Sequence, residues 1–165
     1  MLRVLCNTSP IIGLITIGKL DLLWNLFDEV IIPQAVYDEL CAKPIRFHAE
    51  VREIEEAVSK GRITVYSVNN EDRVKAMFGR LHFGELEVIV GAKELGIEIA
   101  VIDERAVRKI ASEFLIKTVG ILGILLMAKR RGFLSTIRED VDALRASGYR
   151  ISESLYKEVL QEAGE

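Results

Sequence analysis

Cysteine is scarce in this chain, with Cys6 and Cys41 as its two thiols in 165 residues. Two thiols cannot staple a small secreted scaffold, and with no secretory leader in view they predict a reducing cytoplasm and thiols kept as small hydrophobes. A disulfide between them is the lesser alternative. Positive charge is not in excess either: 22 Lys and Arg stand against 25 Asp and Glu, giving a net charge of -3. That balance excludes a protein that coats nucleic acid non-specifically, while leaving room for a local basic path. Long apolar runs are missing as well. The strongest, Val119 to Ala128 between Lys117 and Lys129, falls far short of the roughly 20 residues a membrane span needs, so no membrane partner is expected. Glutamine is rare beside abundant Ile, Val, Glu, Lys and Arg, a balance seen in heat-adapted proteins.

What is present is hydrophobicity, half of all residues, enough for one sizeable core and one compact domain. Arg3 to Cys6, Glu29 to Ile32, Ile63 to Val68, Ile97 to Ile102 and Ile116 to Val119 read as short strands. Ile97 to Ile102 is apolar throughout and fits a central strand covered on both faces. Between the strands lie helical patterns: Ser9-Pro10 as an N-cap and first helical residue, Leu20 to Phe27, a helix opened by Pro33, Ala49 to Val58, Asn70 to Phe78, Glu85 to Leu95, Arg105 to Phe114 and Leu122 to Arg131. Lys43 to Phe47 breaks the third of these. Two further helices, Thr136 to Ala146 and Ser152 to Ala163, close the chain, with Thr136 and Glu139 in a capping-box pattern. Alternation of this kind calls for an α/β fold with a mainly parallel sheet between helical layers. No linker divides the chain, so residues 1–165 read as a single domain, with an α/β core over 1–132 and a C-terminal helical extension over 133–165.

Acidic residues, or a near-isostere, recur just after short apolar runs or near helix starts: Asn7, Glu39, Glu85 and Asp103. In a parallel sheet the residues past the strands' carboxyl ends share one rim, where ligands bind. Carboxylates gathered there repel one another unless a cation neutralises them, which points to a hard, oxygen-loving ion such as Mg²⁺ or Mn²⁺. Each acid also has an ordinary reading, because a carboxylate near a helix start gains about 0.3–1 kcal/mol from the dipole. Asp38, Glu87 and Glu104 read as solvated or supporting groups.

Other chemistries find little support. Cys6, Cys41, His48 and His82 match no close-paired zinc spacing. There is no phosphate-binding loop of the G-x-x-x-x-G-K-[ST] kind, and Gly120-Ile-Leu-Gly123 lacks the third glycine of a dinucleotide fingerprint. Ser9 has no nucleophile-elbow context. Lys129-Arg130-Arg131 answers a helix dipole, with phosphate holding as a secondary role.

The stretches R-V-L-C-N-T-S-P-I-I (3–12), I-I-P-Q-A-V-Y-D-E-L (31–40), F-G-E-L-E-V-I-V (83–90) and A-V-I-D-E-R-A-V-R (100–108) resemble a PIN domain. The likeness is to an uncharacterised prokaryotic branch related to the VapC-type toxin ribonucleases. It extends through Ala128 to Gly132 and Ser152 to Tyr156, nearly the whole chain. The resemblance implies a three-layer α/β/α fold with about five parallel strands and Mg²⁺- or Mn²⁺-dependent hydrolysis of RNA, single-stranded or looped. The first family aspartate falls on Asn7, with Thr8 and Ser9 following as substrate-positioning hydroxyls. The second acid falls on Glu39 and the third on Glu85, with Glu87 as another register. The fourth falls on Asp103, with a one-residue ambiguity at Glu104.

Asn7 departs from that pattern. An amide oxygen still coordinates a hard cation, but it brings no charge and takes no proton. The resemblance therefore leaves two expectations: a ribonuclease weakened at one position, or an inactive PIN fold that binds nucleic acid or protein. By the same likeness, the expected context is a toxin-antitoxin pair, with a small antitoxin covering the cleft and a homodimer of this chain. Arg105, Arg108 and Lys129 are the candidate bases for positioning a strand.

Overall fold

The computed structural model describes residues 1–42, 48–77, 79 and 81–165. Five strands form one parallel sheet: β1 (Arg3–Cys6), β2 (Glu29–Pro33), β3 (Thr64–Tyr66), β4 (Ile99–Val101) and β5 (Lys117–Val119). Their order is β3-β2-β1-β4-β5. The centre is β1, whose Val4, Leu5 and Cys6 are wholly buried. The apolar run expected as a central strand supplies β4, which lies inside the sheet next to β1, with Leu5 paired to Ala100 and Cys6 to Val101. Both strands are covered on two faces, so apolar continuity does not distinguish them. Exposed Thr64 and Lys117 fall on the edge strands β3 and β5, where polar residues discourage further pairing.

Helices cover the sheet in chain order: α1 (Thr8–Thr16), α2 (Leu22–Leu26), α3 (Gln34–Cys41), α4 (His48–Ser59), α5 (Glu71–Met77), α6 (Phe83–Leu95), α7 (Arg105–Glu113), α8 (Ile121–Arg130), α9 (Arg138–Ala146) and α10 (Glu153–Ala163). With the sheet they make the three-layer α/β/α arrangement. The expected break over 43–47 and the end of α5 at Phe78 lie outside the described residues. The first helix begins earlier than Ser9-Pro10 suggests, with Asn7 at its N-cap. That frees the Ser9 hydroxyl for another partner.

The expected capping box at Thr136 and Glu139 is not formed. Helix α9 starts at Arg138, and its first N–H groups are met by the carboxylate of Glu165, which accepts from Ile137 N–H at 2.7 Å and Arg138 N–H at 3.1 Å. Thr136 donates its hydroxyl to the same carboxylate at 2.6 Å. A long-range acid thus replaces the local one. The basic run is likewise used internally: Lys129 pairs with Glu165 at 2.6 Å, Arg130 with Glu162, and Arg131 donates to the Leu26 carbonyl at 2.8 Å. Lys129 is therefore occupied by the fold itself.

One core cluster runs from Val4 on β1 to Leu160 on α10, with Ile137, Val141 and Leu144 in it. The C-terminal helices share the core of the sheet. Both cysteines are free, Cys6 buried and Cys41 half-buried. Burial pushes the Cys6 thiol well above its ordinary range. Among the described residues no helix is long and apolar enough to cross a membrane.

Candidate metal centre

The sheet order reverses between β1 and β4, since β2 and β3 extend to one side of β1 while β4 and β5 extend to the other. A crevice opens outside the carboxyl ends of strands at such a switch point. Asn7 leaves β1 there, its backbone N–H still donating to Val101 on β4 at 3.0 Å. A cleft of about 300 Å³ at this point is lined by Asn7, Thr8, Ser9, Glu39, Glu85 and Glu104, among others.

Four elements aim these side chains. The turn from β1 into α1 buries Asn7 and Thr8, at 3% and 5% exposure. Helix α3 carries Glu39, whose carboxylate accepts from the Thr8 hydroxyl at 2.7 Å. Helix α6 carries Glu85 in its first turn, where the carboxylate reaches back to the His82 N–H at 3.0 Å. The segment after β4 carries Glu104, which accepts from the Ser9 hydroxyl and from the Asn7 amide Nδ2, the latter at 3.2 Å. Gly84 lets α6 close on α3: a Cβ there would stand 3.2 Å from Glu39 Oε2 and 3.3 Å from Val36 Cγ2. A side chain there would oblige the Glu39 carboxylate or Val36 to give by a few tenths of an ångström.

Asp103 does something else. One carboxylate oxygen accepts the Ile121 N–H at 2.8 Å, capping α8, and the other accepts the Tyr149 hydroxyl. It lines a neighbouring groove and not the cleft. Burial raises its pKa, against the Tyr149 and Ile121 hydrogen bonds that lower it. Tyr149 is pushed far up by burial and then by the Asp103 charge, so it stays a donor. Gly120 leaves room for this clamp, because a Cβ at that position would lie 2.6 Å from Asp103 Oδ1.

The structure thus brings together Asn7, Thr8, Ser9, Glu39, Glu85 and Glu104, and sets Asp103 aside as a tie between β4, α8 and the C-terminal segment. Glu87 accepts the Ala35 N–H at 2.9 Å and anchors the start of α3. Asp38 is exposed and accepts from Gln34. Glu104, read from its surroundings as a supporting group and by the family likeness as the alternative to Asp103 as a metal ligand, lines the cleft. Tyr149, Gly84 and Gly120 carried no local signal of their part in the site.

The cleft's donors are carboxylate, amide and hydroxyl oxygens, the kind a hard divalent cation prefers. Among the described residues Glu39, Glu85 and Glu104 form no ion pair. Three carboxylates lining one small cleft make it negative, and a cation there would relieve their repulsion. Their oxygens are engaged by Thr8, His82, Ser9 and Asn7, and among the described residues no three acidic, imidazole or thiol groups are gathered as a ligand set. Holding a cation there would exchange those hydrogen bonds for metal contacts. A family model described as a PIN domain matches residues 3–165 of the chain. No curated protein matches it.

Proposed function

The chain belongs to the PIN-domain family, and from that premise we propose that it is a Mg²⁺- or Mn²⁺-dependent ribonuclease whose site is the cleft between β1 and β4. The observation that carries this reading is one cleft at the sheet's switch point lined by Glu39, Glu85 and Glu104, from three separate elements and without an ion pair among the described residues. Glu39, Glu85 and Glu104 would hold the ion, with the Asn7 amide oxygen as a neutral donor. A bound divalent ion supplies charge neutralisation at the phosphate and a water acidified for attack.

The protein's own groups have separate tasks. Thr8 and Ser9 hold Glu39 and Glu104 in place by donating to them. Asn7, fixed by burial and by its bond to Glu104, cannot accept a proton, so that task would fall to a carboxylate or to His82, which lines the same cleft. In this reading Glu104 fills the fourth acidic position, while Asp103 positions the loop that presents it. The family likeness of the sequence extends the reading to a toxin-like role, with a small antitoxin protein over the cleft and a homodimer of this chain.

A second reading, a PIN fold that binds without cutting, is favoured by Asn7, which contributes no charge and turns its Nδ2 toward Glu104. The two separate in one experiment. A panel of single-stranded and structured RNAs is incubated with Mg²⁺ or Mn²⁺ and the chain, Asn7→Asp or Glu104→Gln. Cutting by the chain that Glu104→Gln abolishes supports the ribonuclease; cutting only by Asn7→Asp places the chain in the binding class, as an intact site disarmed at one residue. No cutting by any folded variant overturns the nuclease reading.

A further inference from the structure

Beside the cleft runs a groove of about 1250 Å³, walled by α7 and the end of β5 on one side and by the 148–152 segment and α10 on the other. Ser9 and Glu104 belong to both, so groove and cleft are confluent. Three arginines line it: Arg105, Arg108 and Arg150, all exposed. Among the described residues none of them forms an ion pair. Arg108 is held in place by its Nε donating to the Thr118 hydroxyl at 3.0 Å, which leaves its two terminal nitrogens for another acceptor.

On a chain with net charge -3, three guanidinium groups that form no ion pair among the described residues stand beside a cleft of carboxylates, in contrast to three bases of α8 and α9. There, Lys129, Arg130 and Arg145 are each paired with a glutamate. The groove's own acids do not cancel them all. Asp103, engaged by Ile121 and Tyr149, also feels the Arg108 charge, Glu162 pairs with Arg130, and Glu104 faces the junction, which leaves Glu158 on α10 for the other two arginines. Leu122 and Leu155 add apolar contact surface to the groove.

We propose that this groove binds the flank of a single-stranded RNA, with Arg105, Arg108 and Arg150 on its phosphates. This rests on the ribonuclease reading for the identity of the strand and deepens it by assigning where the strand runs beyond the cleft. A strand with one phosphate in the cleft has to leave across the surface. The confluent groove is the exit whose charge suits phosphates, and a fixed Arg108 at its wall sets the register of the first one.

The test measures binding apart from cutting. A fluorescent single-stranded RNA of about twelve nucleotides, within the range single-strand grooves cover, is titrated in EDTA against the full chain, the triple variant Arg105→Gln/Arg108→Gln/Arg150→Gln, and Arg62→Gln. Arg62 is exposed and precedes β3, at the opposite end of the sheet. Each phosphate contact contributes about 0.7 to the slope of log affinity on log salt for single strands. The triple variant should therefore lose about 2 from that slope and, at about 0.1 M salt, bind about 100-fold more weakly. Arg62→Gln should match the parent, and all three should melt alike.

An unchanged slope and affinity in the folded triple variant overturns the groove. So does a polyglutamate peptide that binds the groove more tightly than the RNA and depends on the same arginines, since that would assign it to an acidic protein partner. Failure of the nuclease reading looks different: RNA binding with the arginine dependence intact in EDTA, and no cutting when Mn²⁺ is restored.

Discussion

Replacing Asp103 and Glu104 separately by alanine should divide a structural acid from a functional one. Asp103 accepts the Ile121 N–H at 2.8 Å and the Tyr149 hydroxyl, and hydrogen bonds to a charged group contribute about 1.5–3 kcal/mol each. Two of them give about 3–6 kcal/mol, from which the burial that raises the Asp103 pKa subtracts, because removing a desolvated carboxylate returns part of its cost. A net loss of about 2–4 kcal/mol for Asp103→Ala follows, and for a chain of this length about 2–4 °C of melting temperature per kcal/mol makes that a fall of roughly 4–16 °C. Glu104→Ala loses bonds from Ser9 and Asn7, but it also removes one of three negative charges lining the cleft and opens it to water, so its stability should change by about 1 kcal/mol or less. Tyr149→Phe removes one arm of the clamp. In a double-mutant cycle with Asp103→Ala it should show a coupling of about 0.5–3 kcal/mol. Thermal melts of the five proteins, parent, three single variants and the double variant, and an RNA-cutting assay at a temperature where all are folded complete the experiment. Asp103→Ala melting within a degree or so of the parent while abolishing cutting, with Glu104→Ala still cutting, would refute the assignment.

Two more outcomes follow from the site and the C-terminal tie. Asn7→Asp exchanges the amide that donates to Glu104 at 3.2 Å for a second carboxylate. In EDTA it should melt lower than the parent, and millimolar Mn²⁺ should raise its melting point more than the parent's; equal shifts in both would show that no cation is shared by these residues. Burial works against the Glu165 charge, but Lys129, Thr136 and the Ile137 and Arg138 N–H groups hold its pKa down to about 2, from 4.5. Because the folded pKa lies below the unfolded one, this tie contributes fully above about pH 4.5 and is lost as pH falls toward about 2. Glu165→Gln should therefore melt below the parent at pH 7 and converge with it in acid, a profile that pH-dependent melting curves would check.

The layers of the fold were legible because they depend on local pattern. Five short apolar runs separated by helical periodicity place every strand within about three residues at either end, and Pro33, Asn70, Gly96 and Ser152 mark helix ends where the backbone turns. Strand order is less local. Ile97 to Ile102 and Arg3 to Cys6 are both apolar, and only their pairing to β5 and β2 tells which lies at the centre. The cleft was legible for Glu39 and Glu85, whose places on α3 and α6 follow from where Pro33 and Phe83 start those helices. Ser9 read as a cap because Pro10 follows it, yet a proline is tolerated deeper in a first turn, and the helix starts earlier.

The choice between Asp103 and Glu104 was not available from the residues around them, and the reason is physical. Both follow the same strand, both are acids, and the backbone alone lets either side chain face the crevice. What separates them is a hydroxyl 46 positions along the chain, on Tyr149, together with an N–H on α8 and a glycine at 120 that leaves space for the carboxylate. Once Asp103 is drawn to those donors, its neighbour is turned toward Asn7 and Ser9. The segment after residue 132 therefore acts on the site as well as on the core: its Tyr149 selects which acid the β4 end presents, and its Arg150 lines the groove that opens from the same point. A variant shortened before Tyr149 would lose the hydroxyl that holds Asp103, and with it the contact that keeps Glu104, and not its neighbour, on the cleft.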